Sequence, residues 1–382
     1  MRILTFALFF LSFVIVETTA ILAAEAVAYP TFKFKGFLQY DSAITGFTEK
    51  DFGIRRVRTD FRVAISPQVE YRLNADYGAG SASLLDAYAN IKIGDTQWIQ
   101  VGKTKSPIGF ELLQTPTNLL LPEFGFSTYL VPNRDTGVQW ISRTKDLELN
   151  LGAFAGAPDF ASVDTESDRS RSVAGRAFFW PIRGEVQSLG LGVGGNIESK
   201  FGTDSASNLG TYTYRGYGKL FSYSPGVYAN GTGYRIVPQS YFIQGPVSVL
   251  GEYALSSQEI SNGAKQNQTV NTAWQVALQY VVTGETATYG DFSPSKPFGV
   301  DGGLGGLQLG FRIGEINFDD SAFTTYAYTS QATRAQQLGA SANWIWSKSV
   351  QWTLGLDQVT RFNANGSESS DLVALVRSQI TF

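Results

Sequence analysis

The stretch Gly53 to Ser66, GIRRVRTDFRVAIS, places four arginines, Arg55, Arg56, Arg58 and Arg62, among strand-forming residues. Guanidinium groups suit one task well. Their rigid forks of N–H donors bind oxyanions such as carboxylate and phosphate. In a strand, alternate side chains point in opposite directions. Val57, Thr59, Phe61, Val63 and Ile65 then share one face, and Arg56, Arg58, Asp60, Arg62 and Ala64 share the other. One face is apolar and the other cationic. Arg55 falls on the apolar side of this alternation, which predicts that it sits at the edge of the apolar zone or beside a bulge near Gly53.

Little else in the chain suggests catalysis. There is no histidine and no cysteine among the 382 residues. Hydrolases and acyltransferases that use a histidine base are therefore excluded, and no clustered carboxylate motif replaces them. The expectation is no enzyme, no cofactor and no metal site. The acidic stretch Val163 to Asp168, VDTESD, reads as a solvated loop rather than a cation site.

The first residues carry an address. Arg2 precedes an apolar run, Ile3 to Val16, and small residues follow, with Ala24-Glu25-Ala26 as a cleavage site. This is the order of a secretory signal peptide over residues 1–26, and the run is short for a helical span of ~20 residues. Removing Arg2, Glu17 and Glu25 leaves 29 basic and 31 acidic residues. So balanced a chain predicts no nucleic-acid partner.

Residues 27–382 read as one domain made of short alternating strands. Phe32, Phe34, Leu38 and Tyr40 alternate with Lys33, Lys35 and Gln39. Val69, Tyr71, Leu73, Ala75 and Tyr77 alternate with Glu70, Arg72, Asn74 and Asp76. The same period of two recurs at 274–280, 307–313 and 350–357, with Gly, Asn, Asp and Pro between runs. The fold class is all-β. Two architectures fit: a soluble, secreted sandwich that binds a ligand, with its apolar face in a core, and an antiparallel transmembrane barrel with that face in lipid. Three features favour the barrel: alternation through most of the chain, aromatics near strand ends (Phe32, Tyr40, Tyr71, Tyr77, Trp274, Tyr280), and an amphipathic last strand ending on Phe382. Counting strands gives 16 to 18.

The energetics assign the two faces of the arginine strand. An arginine on the lipid face costs ~2–4 kcal/mol at mid-depth. Three would cost about 6–12 kcal/mol, comparable with a whole domain's stability. Arg56, Arg58 and Arg62 must therefore face the lumen. By the same alternation Lys33, Lys35, Arg72, Arg176, Arg215, Arg235 and Arg312 point inward, with the acids Asp60, Glu70, Asp76 and Glu252.

The segment Val101 to Glu111, VGKTKSPIGFE, resembles the Gly-x-x-Lys-x-Pro-Phe-Gly-x-Glu segment of the phosphate-selective porins O and P. Gly102, Lys105, Pro107, Gly109 and Glu111 match, and Ile108 replaces the usual Phe. Further similar pieces are RDTGVQW (Arg134 to Trp140), GPVSVLGEY (Gly245 to Tyr253), YVVTGE (Tyr280 to Glu285), KPFG (Lys296 to Gly299) and the final LVRSQITF. The resemblance implies a homotrimer of 16-stranded barrels in the bacterial outer membrane. It implies a long loop, here about Ser106 to Asp135, that folds inward and constricts the pore. It also implies passage of phosphate-like anions past lumen arginines and lysines. Lys105 and Arg134 take the motif positions, and Arg56, Arg58 and Arg62 match the family's early arginine-rich strand. With Arg72, Arg176 and Arg235 from the alternation, these are the candidate pore-lining residues. A porin for small solutes without phosphate preference is the alternative within the family.

Overall fold

A computed structural model describes residues 28–45, 49–164 and 168–382. The expected leader, residues 1–26, and the centre of the VDTESD stretch lie outside the described residues. The first half of the chain contributes β1 (Thr31–Thr45), β2 (Glu49–Ala64), β3 (Val69–Asp76), β4 (Ser83–Gly94), β5 (Gln97–Thr104), β6 (Asp135–Arg143), β7 (Leu147–Phe154), β8 (Arg171–Arg183) and β9 (Gln187–Phe201). The second half contributes β10 (Thr211–Tyr214), β11 (Gly218–Ser222), β12 (Val227–Gln244), β13 (Val247–Asn262), β14 (Lys265–Val281), β15 (Gly306–Asn317), β16 (Ala332–Ile345), β17 (Val350–Asn363) and β18 (Glu368–Thr381).

Sixteen strands close into one antiparallel barrel, with each strand beside its sequence neighbour except that β9 pairs directly with β12. Closure comes from β1 against β18, with Phe37 opposite Thr381 and Thr45 opposite Val373. A barrel has no free edge, so every wall strand finds both ladders. The sandwich is thereby excluded. The sequence range of 16 to 18 resolves simply: β10 and β11 form a separate two-stranded hairpin.

The alternation holds along the wall. Phe32 is 63 % exposed on the outside and Gln39 is 0 % exposed inside. Tyr40, Tyr71, Tyr77 and Tyr280 also face outward, as an aromatic girdle requires. Among the described residues no helix is long and apolar enough to cross a membrane. The crossing is made by strands.

Strand length sets the depth of the central loop. β3, β5 and β7 have eight residues each, whereas β12 has 18. Eight residues at ~3.3 Å, tilted by ~40°, climb only ~20 Å. That is less than the ~25 Å apolar band of such barrels. The segment 105–134 between β5 and β6 therefore leaves the wall inside the membrane's thickness. It turns into the lumen, where Ile108, Leu112, Phe126, Leu130 and Val131 are buried. The end of the barrel holding both termini has short turns, apart from the 282–305 connection, and is the periplasmic end by that pattern.

At Gly102 the backbones of β5 and β4 approach closely. Its φ is +127°, and a Cβ there would lie 2.2 Å from the Ala87 carbonyl oxygen. That backbone region is almost exclusive to glycine. Gly102→Ala is expected to destabilise the barrel by about 1–3 kcal/mol or more, read as an earlier urea midpoint for the refolded protein in detergent.

Candidate functional site: the arginine-lined lumen

Two carboxylates seat the inward loop. The Phe110 N–H, at the start of the single helical turn Phe110–Leu113, donates to Glu252 of β13 at 2.7 Å. Glu111 accepts from the Gly125 N–H at 2.8 Å, Thr128 Oγ1 at 2.9 Å and Arg312 Nη1 at 2.9 Å. Arg312 also donates to the Glu123 carbonyl at 2.8 Å. Further round the same wall, on β15, β16 and β17, Gly310, Gly339 and Gly355 leave room for Leu120, Leu121 and Pro122. A Cβ on any of the three would approach the loop to 2.6 Å or less. The Glu of the matched motif thus clamps one end of the loop to the other. Arg312, expected as an inward cation, completes that clamp.

Below the loop lies a cavity of about 740 Å³ that reaches the periplasmic end, where Lys348, Ser349 and Phe382 rim it. Arg58, Arg62, Arg72, Lys105 and Arg134 line it, joined by Lys35 near the mouth. The acids on its wall are Asp60, Asp86 and Asp291. Seven cationic side chains thus face three acidic ones.

Arg58, Arg62, Arg72, Arg134 and Lys105 are held rather than free. Arg58 Nε donates to Asp76 at 2.7 Å. Arg72 meets Asp60 at 2.8 Å and Asp86 at 3.5 Å. Arg134 Nε donates to Asp86 at 2.9 Å. Arg62, the most exposed of these arginines, reaches Asp60 at 3.3 Å and Glu70 at 3.7 Å. Lys105 donates to the carbonyls of Leu112 at 2.5 Å and Gln114 at 2.7 Å. Two of its three donors thus pin the start of the loop.

Three candidates lie elsewhere. Arg56 is buried higher in the lumen, bonded to Gln39 at 2.8 Å and Glu123 at 3.2 Å. Arg176 lies against Phe178 and bonds Glu148 at 2.9 Å. Arg235 joins Asp159 at 2.7 Å and Glu198 at 2.8 Å. Neither Arg176 nor Arg235 lines the large cavity.

Arg55 resolves its own ambiguity. Gln39 pairs with Arg56 and the next residue, Tyr40, pairs with Ile54, so Arg55 is the extra residue of a β-bulge. The bulge turns Arg55 inward beside Arg56. Its Nε and Nη2 grip both oxygens of Glu123 at 2.9 Å each. Arg377 of β18 adds a contact to Glu123 at 3.0 Å and holds Asp41 at 2.7 and 2.8 Å. Burial alone would raise the Glu123 carboxyl. Arg56, Arg55 and Arg377 instead hold it well below the usual carboxylate range.

A second inward segment was not anticipated. The connection 202–226 folds back into the barrel as the β10–β11 hairpin. Tyr212, Tyr214 and Phe221 on it are at most 2 % exposed. Tyr212 donates to Asp159 at 2.7 Å and Tyr214 to Asp357 at 2.6 Å. Phe221 stacks on Phe318 with ring centroids 4.5 Å apart. Arg215, expected on the wall, instead occupies the hairpin turn and contacts Asp41 and Glu123. The 282–305 connection also closes in at the periplasmic mouth. Asn118 of the inward loop donates to its Asp291 at 3.0 Å. Among the described residues no cluster of histidine, cysteine, aspartate or glutamate is arranged to hold a metal ion.

A closed 16-stranded barrel, aromatic outside and charged inside, with a loop folded into its lumen, defines an outer-membrane porin. The chain belongs to the phosphate-selective porin O and P family, whose pattern matches residues 32–382. Solved structures share the fold at low identity. The outer membrane channel DcaP of Acinetobacter baumannii has TM-score 0.62 and 13 % identity, covering 95 % of this chain and 100 % of its own. An anion-selective porin from Comamonas acidovorans has TM-score 0.57 and 11 % identity, covering 92 % and 100 %. The trimer form of Vibrio cholerae OmpT has TM-score 0.53 and 10 % identity, covering 92 % and 99 %. No curated protein matches the chain.

Glu111→Ala tests the clamp. It strands the buried Arg312, and an unpaired buried charge costs ~3–5 kcal/mol. The expected outcome is protease cleavage within 105–134 while the barrel keeps its heat-modifiable migration on gels.

Proposed function

We propose that the protein is a passive, anion-selective diffusion channel that admits phosphate-like oxyanions through the arginine-lined cavity, without turnover or cofactor. The observation that carries this is the excess of seven cationic over three acidic side chains on the cavity wall. The chain as a whole has net charge −3. Charges confined between low-dielectric walls act on a permeating ion far more strongly than exposed, screened ones. The cavity therefore opposes the sign of the whole chain.

The pairing of each arginine favours conduction over tight binding. An oxyanion entering the cavity meets donors already shared with Asp60, Asp76 and Asp86. It gains part of a charge-assisted hydrogen bond at each step and is not trapped at any one. Several weak sites in series are what a conducting pore needs. Arg134 and Lys105 stand at the two roots of the inward loop, on the wall of the cavity. Arg58, Arg62 and Arg72 extend the track toward the periplasm.

Export and assembly belong to the same proposal. The order of residues 1–26 supports a cleaved signal peptide, and the trimeric form of OmpT supports a homotrimer with lipid around its outer face.

Phosphate inhibition of chloride current in planar bilayers tests the cavity. A charge-assisted hydrogen bond contributes roughly 1.5–3 kcal/mol. Arg134→Ala removes one donor and leaves Asp86 less neutralised, so block should weaken by about 10- to 100-fold. Lys105→Ala should weaken it in the same direction. Wild-type block in both variants would remove the cavity from the anion path.

A further inference from the structure

Above the large cavity the lumen narrows to a cluster with an unusual occupant. Glu123, near the tip of the inward loop, lies among four arginines from three separate parts of the chain. Arg55 and Arg56 come from β2, Arg377 from β18 and Arg215 from the turn of the β10–β11 hairpin. Arg55 holds both carboxylate oxygens at 2.9 Å, as a planar fork holds a carboxylate. Arg377 contacts Glu123 at 3.0 Å, Arg56 at 3.2 Å and Arg215 at 3.3 Å. The second acid of the cluster, Asp41, is shared by Arg377 and Arg215. Among the described residues, four guanidinium groups surround these two carboxylates.

The cluster also separates two spaces. Gln379, which hydrogen-bonds Gln39 beside Arg56, lines the large periplasmic-side cavity. Glu123 and Arg215 line a smaller cavity of about 60 Å³ on the other side, with Tyr214, Tyr217 and Asp357. The cluster is not sealed, because the Arg55 and Arg215 side chains are 30 % and 24 % exposed. Solvent reaches two of the four arginines.

We propose that this cluster is a second anion site of the channel, in which the chain's own Glu123 carboxylate holds the place of a permeant carboxylate ion, so that organic carboxylates compete with Glu123 for the four arginines. The loop carboxylate is tethered at the site and the solute is not. Its local concentration therefore keeps the site filled at low solute and yields it as external carboxylate rises. Glu123 then sets how strongly the neck holds carboxylate-bearing solutes.

This inference rests on the reading that anions permeate, and the test separates the two. Propionate, which matches the glutamate side chain, is titrated against chloride current for the wild type, Glu123→Ala and Glu123→Gln. Each variant is first shown to be folded by heat-modifiable migration. Glu123→Ala vacates the site, and half-block by propionate should move to at least ~10-fold lower concentration. Glu123→Gln removes the charge but keeps the bulk, and the shift should be smaller, about threefold. If Glu123→Ala does not fold, Glu123→Gln alone decides. Propionate block within twofold of wild type in the folded variants overturns the inference, even where chloride selectivity persists. Loss of chloride selectivity in the wild type would instead strike the proposed function.

Discussion

Lipid admits almost no charge, and that one constraint organises the molecule. A guanidinium on the outer face costs ~2–4 kcal/mol at mid-depth, so the sixteen strands turn their arginines inward. Inside, the same groups cannot stand alone away from water, so the arginines of the lumen and its loops, Arg55, Arg56, Arg58, Arg72, Arg134, Arg235, Arg312 and Arg377 among them, are met by carboxylates. The pairs then decide the shape of the lumen. Arg312 and Glu111 pin the central loop to the wall, Arg377 and Asp41 brace the seam between β1 and β18, and Arg235 holds Asp159 and Glu198 beneath the hairpin. Stability and pore chemistry are thus carried by the same side chains.

Not all of these pairs are equivalent. Arg235 is 2 % exposed and its partners lie away from the large cavity, so it acts as wall. Arg62 is far more open, and its contacts at 3.3 and 3.7 Å are loose. A lumen arginine serves an ion only when its carboxylate partner leaves donors within the ion's reach. That condition picks out the residues below the central loop. It also makes the exposed edges of the Glu123 cluster, Arg55 and Arg215, the places where an ion would first make contact.

Much of this was legible in the sequence, for a definite reason. Strand alternation is local, so the two faces of β1 and β2 follow from residue order alone. The loop roots at Lys105 and Arg134 follow from the segment that resembles the porin family. What the sequence hid was tertiary. The alternation placed Arg215 on the inner face of the wall, and only the packing of Tyr212 and Tyr214 against Phe126, Tyr129 and Phe318 shows that their hairpin fills the lumen. The alternation put Arg55 on the apolar side, with a bulge as one resolution. The structure supplies the bulge, because one inserted residue reverses a strand's facing. Glu123, within LPEFG, carried no signal of its role: its four partners are distant in sequence and meet only when the barrel closes.

The central claim is that the cavity's sign, not the chain's, governs which ions pass. Reversal potential in asymmetric KCl across a planar bilayer at neutral pH measures this directly. The account predicts a potential displaced toward the chloride equilibrium value. It also predicts a smaller displacement at high salt, where the lumen charges are screened. A potential displaced toward the potassium value, from protein shown to be folded, would contradict it.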